Sequence, residues 1–153
     1  MLSLIVFIVL CFSAAVFGSV FTNKSLKTWY PSIKKPSWNP PNKVFGPVWT
    51  ILYLMMALAG WMVWERLLQK GFSMPMVLFF VQLVLNTVWS VVFFGFRSPG
   101  WAFVEVVLLW ITIILTMISF WIVFWVAGAL FLPYLLWVSF AAALNCSIWR
   151  LNR

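Results

Sequence analysis

The sequence predicts an all-α membrane protein in which five transmembrane helices form a bundle, with an ordered first loop rich in proline and lysine. Of the 153 residues, 65% are hydrophobic and 8% are charged. Soluble domains carry about 25% charged residues, so this composition excludes a water-soluble globule. Five spans of roughly 20 residues need about 100 apolar residues, and we expect residues 1–153 to form a single transmembrane domain.

The chain is strongly basic, with ten lysines and arginines, two acids and a net charge of +8. The basic residues flank apolar runs, where they orient a membrane protein, so nucleic-acid binding is not expected. The sequence has no histidine, which excludes histidine metal sites and Ser-His-Asp triads. Cys11 and Cys146 are expected to pack as small apolar residues, and no metal site is predicted.

The first predicted span covers residues 2–21. It lacks a basic start and is longer than the apolar region of an ordinary signal peptide, so we expect a retained helix. Residues 22–44 follow as a polar segment with five lysines, four prolines and no acid. Because proline interrupts helices and restricts the residue before it, this segment is expected to form a stiff, ordered loop.

The second and third predicted spans cover residues 45–64 and 75–96. Pro47 is tolerated because it falls in the first turn of its helix, where its missing N–H has no partner to lose. A short polar loop separates these two spans, and the sequence from Arg97 to Gly100 ends the third.

The last two spans must share residues 101–149, which are apolar almost without a break. This stretch is too long for one crossing, so we predict helices at 101–121 and 126–149. The turn between them is placed at Ile122 to Gly128 by length alone. Pro133 is then expected to kink the early part of the fifth helix.

Five spans place the two ends of the chain on opposite sides of the membrane. The side with the first loop, the third loop and the C-terminus carries eight basic residues, whereas the other side carries Arg66 and Lys70. By the positive-inside rule, the first loop and the C-terminus are predicted to face the cytoplasm.

Three predicted helices each carry aromatic, polar and small residues at spacings of three or four, which places them on one face. These faces are Trp49, Tyr53, Ala57, Gly60 and Trp64; Gln82, Asn86, Trp89 and Phe93; and Pro133, Trp137, Ala141 and Asn145. Amides inside a membrane avoid lipid, so the faces are expected to meet inside the bundle. Simple helix packing is the alternative explanation, helped by the small residues Ser139, Ala143 and Ser147.

The depth of these residues favours a cavity over simple packing. At a rise of about 1.5 Å per residue, Trp49 and Tyr53 lie roughly 6 and 12 Å below the lysine-rich surface. Asn86, Trp137 and Asn145 lie roughly 15, 18 and 6 Å below the same surface. Aromatic rings and amides from three helices therefore share one half of the bilayer, which predicts a cavity for a flat, mostly apolar ligand.

The first loop is predicted to fold over the mouth of this cavity as a lid. Its aromatic side chains would be poorly placed in water and prefer the membrane boundary. Tyr30 and Trp38 are expected to contact the ligand, and Lys34 or Lys35 to lie near its acidic groups. In the alternative, these lysines only orient the protein and bind anionic lipid.

At these residues the sequence resembles the TspO/MBR family, which comprises the translocator protein, or peripheral benzodiazepine receptor, and the bacterial tryptophan-rich sensory proteins. The matching segments are WY at 29–30, KPSWNPP at 35–41, FGPVWTILY at 45–53, QLVLN at 82–86, Trp89, FFG at 93–95, PYLLW at 133–137 and ALN at 143–145. The block from Trp38 to Tyr53 is highly specific.

The resemblance implies a five-helix bundle, a homodimer, and a cavity that binds protoporphyrin IX, haem and drug-like hydrophobic molecules, with no required cofactor. It also implies a bacterial membrane or, in a eukaryote, the mitochondrial outer membrane. Family pocket positions fall on Tyr30, Trp49, Asn86, Trp137 and Ala141. Together with the faces above, the predicted ligand-binding residues are Tyr30, Trp38, Trp49, Tyr53, Asn86, Trp89, Trp137, Ala141 and Asn145.

Three classes of function remain open. A tetrapyrrole-binding sensor or regulator is favoured. A transporter of porphyrins or lipids is the second class, although a chain with five spans lacks the matching halves of inverted-repeat transporters. The third class, implied by the resemblance, is light- and oxygen-dependent degradation of porphyrin at Trp49 and Trp137. No acid–base pair supports ordinary catalysis.

Cys146 and Glu105 bear on cholesterol binding and on a proton or cation role. Cys146 stands where a proposed cholesterol motif of animal family members has tyrosine, so cholesterol binding at that site is not expected. Glu105 is an acid inside the fourth span. We expect it to snorkel to the interface or to pair with a base such as Arg97, and a proton or cation role is the alternative.

Overall fold

The computed structural model of the protein describes residues 2–68 and 73–153. The helices in chain order are α1 (Leu2–Lys27), α2 (Asn42–Leu67), α3 (Met74–Ser90), α4 (Pro99–Val123), α5 (Trp125–Ala129) and α6 (Leu132–Leu151). A π-helical turn at Val91–Gly95 continues α3, and a 3-10 turn at Tyr30–Ser32 lies in the first loop.

Five stretches of the described chain are long and apolar enough to cross a membrane. They are α1, α2, α3 together with its π turn, α4, and Trp125–Leu151, which contains α5 and α6. The predicted all-α membrane fold is therefore confirmed, and the protein is a multi-pass membrane protein. The predicted second loop lies partly outside the described residues, and Lys70 lies outside them as well.

The first two helices are longer than predicted because they extend beyond their apolar runs. α1 continues from residue 21 to Lys27, since no proline or glycine interrupts it and lysine favours helices. It ends before Pro31, as expected next to a proline. α2 begins at Asn42, directly after Pro41, three residues before its predicted start. The first loop is thereby reduced to residues 28–41.

The end of the third span is a π-helical turn followed by a sharp reversal. The Phe96 N–H donates to the Val91 carbonyl oxygen at 2.9 Å. This bond joins residues five positions apart, as in a π-helix, rather than four as in an α-helix. Arg97 then adopts a φ of 55°, in the left-handed region. This conformation turns the chain directly into Pro99 at the start of α4, so the predicted third loop lies where expected.

The fourth and fifth spans are separated at Phe124, which is extended with φ −159° and ψ 108°. This break falls inside the predicted interval and confirms the turn. A Cβ atom on Gly128 would lie 2.8 Å from the Trp121 Cα, so the reversal requires a residue without a side chain there.

The expectation that Pro133 kinks a continuous fifth helix was wrong. The fifth span is interrupted at Leu130 and Phe131, and Pro133 lies in the first turn of the separate helix α6. A proline at this position removes an N–H that has no helical partner, so it costs no hydrogen bond.

The tightest part of the core lies at the end of the bundle opposite the first loop. Phe79 packs against Phe7 and Phe120 with ring centroids 5.6 and 5.9 Å apart, and Phe120 packs against Phe131 at 5.3 Å. Gly60 lets these rings reach α2, because a Cβ atom there would lie 2.8 Å from both Phe7 and Phe79. The other end of the bundle is less densely filled and contains the cavity.

Candidate functional site

A cavity of about 540 Å³ lies between α1, α2, α3 and α6, beneath the first loop. This volume falls within the range of roughly 300–1,000 Å³ that is typical of small-molecule sites. The cavity occupies the end of the bundle that carries the first loop and the C-terminus, which we call the lysine-rich end. It is the half of the bundle in which the sequence predicted a cavity.

The structure brings most of the sequence-predicted site residues into the wall of this cavity. The residues in the lining are Tyr30, Trp49, Tyr53, Asn86, Trp89, Trp137, Ala141 and Asn145. Trp38 is not in the lining. It is 46% exposed, and its ring packs edge-on against Phe140, which does line the cavity, at 5.6 Å. Trp38 therefore supports the wall from behind.

The inner end of the cavity is formed by a buried hydrogen-bond network that joins three helices. The Tyr53 hydroxyl donates to Asn86 Oδ1 at 2.9 Å, and Asn86 Nδ2 donates to the Tyr134 hydroxyl at 2.6 Å. The Tyr134 hydroxyl in turn donates to Gln82 Oε1 at 3.0 Å. An amide has two N–H donors and two oxygen lone pairs, so Asn86 keeps one N–H and one lone pair for a ligand.

A second set of hydrogen bonds holds the wall nearer the lysine-rich end. Trp89 Nε1 donates to Asn145 Oδ1 at 3.1 Å, and Asn145 Nδ2 donates to the Pro99 carbonyl oxygen at 2.7 Å. Trp89 also stacks on Phe93 with centroids 5.4 Å apart. Because its indole N–H is occupied, Trp89 presents an apolar ring to the cavity, and Asn145 mainly ties α6 to α3 and α4.

Two tryptophans form aromatic walls on α2 and α6. Trp49 packs with Tyr53 at 5.8 Å and edge-on against Tyr134 at 6.3 Å. Trp137 packs against Phe45 at 6.1 Å, and both rings are part of the lining. The rings are held by neighbouring aromatic side chains, so their positions are set before a ligand arrives.

Sequence reasoning missed the contribution of α1 to the cavity. The residues of α1 in the lining include Ala15, Gly18, Ser19, Thr22 and Asn23. Gly18 allows close approach to α3, because a Cβ atom there would lie 3.2 Å from Ser90 Oγ. The available signal was the spacing of these small and polar residues by three and four in an otherwise apolar span.

The first loop is folded inward and held by its own side chains. Tyr30 is 2% exposed, its hydroxyl donates to Asn39 Oδ1 at 2.8 Å, and its ring packs against Phe94. Burial raises the pKa of the Tyr30 phenol, and the hydrogen bond with Asn39 opposes that shift. The middle of the loop is bonded to Asn152, just beyond α6, through the backbone of Lys34.

The lysines expected to meet acidic ligand groups do not line the cavity. Lys35 Nζ donates to the carbonyl oxygens of Tyr30 and Ile33 at 2.7 and 2.8 Å, so it braces the loop from within. Lys34 is exposed and is bonded through its backbone. Within residues 2–68 and 73–153, the lysine in the lining is Lys43, in the first turn of α2.

Glu105 lies on α4, away from the cavity. It is 8% exposed, and neither carboxylate oxygen has a hydrogen-bond partner among the described residues. The expected pairing with Arg97 is therefore not formed.

The sequence pattern of the TspO/MBR family matches residues 7–150. The tryptophan-rich protein TspO of Chlorobaculum tepidum is 46% identical over 155 residues, covering 99% of this chain and 96% of that protein. The human translocator protein is 39% identical over 139 residues, covering 88% and 81% of the two chains.

A third relative is the tryptophan-rich sensory protein of Cereibacter sphaeroides, 38% identical over 145 residues, covering 94% of this chain and 90% of the relative. The family pattern extends over all five candidate spans, and each relative matches this chain over most of its length. The five-span helical fold, the aromatic cavity and these matches agree, and the chain belongs to the TspO/MBR family.

Proposed function

We propose that the protein is a membrane receptor that binds protoporphyrin IX, haem or another flat hydrophobic ligand in the cavity beneath the first loop. The observation that carries this proposal is the composition of the wall. Rings from α2, α3 and α6 surround a volume of about 540 Å³, and an amide with free hydrogen-bonding capacity lies among them. A tetrapyrrole offers a large flat apolar face and few polar groups, which matches this wall.

The residues have separate tasks in this proposal. Trp49 and Trp137 provide ring faces or edges for the macrocycle, an interaction worth about 1 kcal/mol beyond the buried area. Asn86 uses its remaining N–H to bond a polar atom of the ligand at the inner end of the cavity. The name of the relative from Cereibacter sphaeroides, tryptophan-rich sensory protein, supports a sensory or regulatory role rather than a purely structural one.

The experiment that tests binding compares a tryptophan in the cavity lining with one outside it. Trp137 is part of the cavity wall, whereas Trp125 is 61% exposed at the start of α5. Trp137→Ala should weaken protoporphyrin binding several-fold in lipid nanodiscs, and Trp125→Ala should leave it near the wild-type value. Equal losses in two folded variants would contradict the assignment of the ligand to this cavity.

Light- and oxygen-dependent degradation of the bound porphyrin is a second candidate function. It is favoured by the presence of Trp49 and Trp137 in the lining of one cavity, since two oxidisable indoles would lie beside the same photosensitiser. Loss of porphyrin absorbance under illumination, compared with dark and oxygen-free controls, tests it. Trp49→Phe and Trp137→Phe should slow that loss at saturating porphyrin, whereas Trp125→Phe should not.

A further inference from the structure

The cavity is not closed on the side where α1 faces α2. The two helices pack tightly at one end, where a Cβ atom on Gly60 would lie 2.8 Å from the Phe7 ring. At the lysine-rich end, a Cβ atom on Gly46 would meet nothing within 4 Å. The first ten residues of α2, 42–51, are all exposed or half-buried, and the first buried residue of the helix is Leu52. The helices therefore separate toward the lysine-rich end.

Several residues line the cavity and are also exposed on the outside of the bundle. They form the two edges of one opening, which we call the α1–α2 slot: Val16 and Asn23 on α1, and Lys43, Gly46 and Thr50 on α2. Val16 is 64% exposed. Because both helices are membrane spans, the slot opens sideways toward lipid rather than through the first loop.

Lys43 gives the slot a charge at its outer end. It lies in the first turn of α2, at the level where the helix leaves the polar loop, and it is exposed. Asn23 and Asn42 also belong to the lining at this end and add amide donors. An ammonium group and two amides at the polar boundary of a membrane form a site suited to a carboxylate.

The route through the loop is obstructed by comparison. Lys35 braces the loop through two carbonyl oxygens, and Asn152 bonds the backbone of Lys34 at the end of α6. A ligand that entered there would break these bonds and carry its apolar rings through water. An amphiphile that moves sideways keeps its rings in hydrocarbon and its acidic groups at the headgroup level throughout.

We propose that ligands enter the cavity from the bilayer through the α1–α2 slot, and that Lys43, with Asn23 and Asn42, binds their acidic groups. This inference rests on the proposed function and narrows the ligand class. The ligand is a flat molecule that partitions into the membrane and carries carboxylates along one edge. Lys43, rather than Lys34 or Lys35, is then the residue that distinguishes an acid from its ester.

The first test measures equilibrium binding in lipid nanodiscs with protoporphyrin IX and its dimethyl ester. Lys43→Gln should raise the Kd of the diacid roughly two- to fivefold, the size expected for one exposed ion pair. The dimethyl ester should bind Lys43→Gln and the wild type with the same Kd, which would also show that the variant is folded. Lys34→Gln and Lys35→Gln are the matched controls and should leave the preference for the diacid unchanged.

An unchanged diacid affinity in Lys43→Gln, or a selective loss in Lys34→Gln or Lys35→Gln instead, would overturn the assignment of Lys43. These results are distinguishable from failure of the proposed function. If the wild-type protein binds neither porphyrin, the proposed function itself is wrong. If the wild type binds both porphyrins and Lys43→Gln weakens the diacid no more than the ester, only the present inference is wrong.

The second test measures rates, because a slot controls exchange rather than affinity. Gly46→Phe places a ring in the open space of the slot, and Val44→Phe adds the same ring two residues away, outside the lining. Protoporphyrin delivered from vesicles should associate and dissociate several-fold more slowly with Gly46→Phe, and at wild-type rates with Val44→Phe. Association that is no slower in Gly46→Phe than in Val44→Phe would overturn the lateral route.

Discussion

The side-chain amide of Asn152 binds the backbone of Lys34 with both of its polar atoms. Asn152 Oδ1 accepts the Lys34 N–H at 3.0 Å, and Asn152 Nδ2 donates to the Lys34 carbonyl oxygen at 2.9 Å. The same Nδ2 also donates to the Ile148 carbonyl oxygen at 2.8 Å, inside the last turn of α6. Residues 118 positions apart in the chain are thus joined, and the roof of the cavity is attached to α6.

The first prediction concerns this attachment. Asn152→Ala removes both bonds to the loop, and each hydrogen bond contributes about 1 kcal/mol. The amides of residues 30–39 should then exchange with solvent faster, by roughly fivefold if one such bond limits opening and about thirtyfold if both do. Asn152→Asp retains an acceptor for the Lys34 N–H and should have a smaller effect. Identical exchange in Asn152→Ala and wild type would show that the loop is held elsewhere.

If the loop acts as a lid over bound ligand, its exchange should also respond to porphyrin. Saturating protoporphyrin should slow exchange in residues 30–39 of the wild type. In Asn152→Ala, the ligand should restore part of the lost protection. Equal exchange of the loop with and without ligand would contradict the lid.

The second prediction uses the buried phenol of Tyr30. Its pKa is raised by burial, so the folded loop favours the protonated form. The stabilisation of the folded loop by the buried, protonated Tyr30 phenol is complete below the ordinary tyrosine pKa of about 10. It is lost as the pH rises through the raised value. Binding of the porphyrin dimethyl ester should therefore weaken above that pH more in the wild type than in Tyr30→Phe.

The ester is used because it has no carboxylate that Lys43 could bind, so the readout does not depend on the proposed ion pair. The chain has three tyrosines. Subtracting the tyrosinate absorbance of Tyr30→Phe from that of the wild type gives the titration of Tyr30 alone. A Tyr30 phenol that titrates at the ordinary value would contradict its buried position.

The third prediction concerns the network at the inner end of the cavity. Tyr134→Phe leaves both Asn86 Nδ2 and Gln82 Oε1 without their partner, and each unsatisfied buried group costs about 1–3 kcal/mol. Tyr53→Phe removes one partner of Asn86 alone. The midpoint of thermal unfolding in detergent should therefore fall further for Tyr134→Phe than for Tyr53→Phe. The reverse order would show that Tyr134 is not the central member of the network.

The fourth prediction compares two glycines on α2. Gly60→Ala places a methyl group 2.8 Å from the rings of Phe7 and Phe79, and overpacking of this kind costs about 1–3 kcal/mol. A Cβ atom in Gly46→Ala meets nothing within 4 Å beyond its chain neighbours, and its gain in helix propensity is offset by the clash of a Cβ with the ring of the following Pro47. The midpoint of thermal unfolding should thus fall for Gly60→Ala and stay near the wild-type value for Gly46→Ala. Stabilisation by Gly60→Ala would contradict the tight packing of α1 against α2.

The membrane fold could be predicted because it depends on the length and composition of apolar runs. A span must satisfy its backbone internally and be apolar for about 20 residues, whatever its neighbours are. The ends of the helices could be predicted less well. α1 continues to Lys27 and α2 begins at Asn42, because local helix propensity rather than hydropathy decides where a helix stops. Likewise, Pro133 was interpreted as a kink within one helix, although a proline is equally compatible with the first turn of a new helix, which is where it lies.

Most of the cavity wall could be predicted because amides and bulky aromatics at helical spacing point away from lipid. Asn86, Trp49 and Trp137 were identified in this way, and all three line the cavity. The wall on α1 was not identified, since its small residues give a weak pattern within a nearly uniform apolar run.

The sequence by itself determined the five spans and the three helical faces that converge, because hydrophobic length and 3.6-residue periodicity act along a single helix. Tertiary structure alone decided which lysine reaches the cavity. Lys34, Lys35 and Lys43 lie within one polar segment, and only the packing of the loop on Tyr30 and Asn152 turns the first two away. It also decided that α1 and α2 separate at Gly46, because the distance between helices depends on the residues of both.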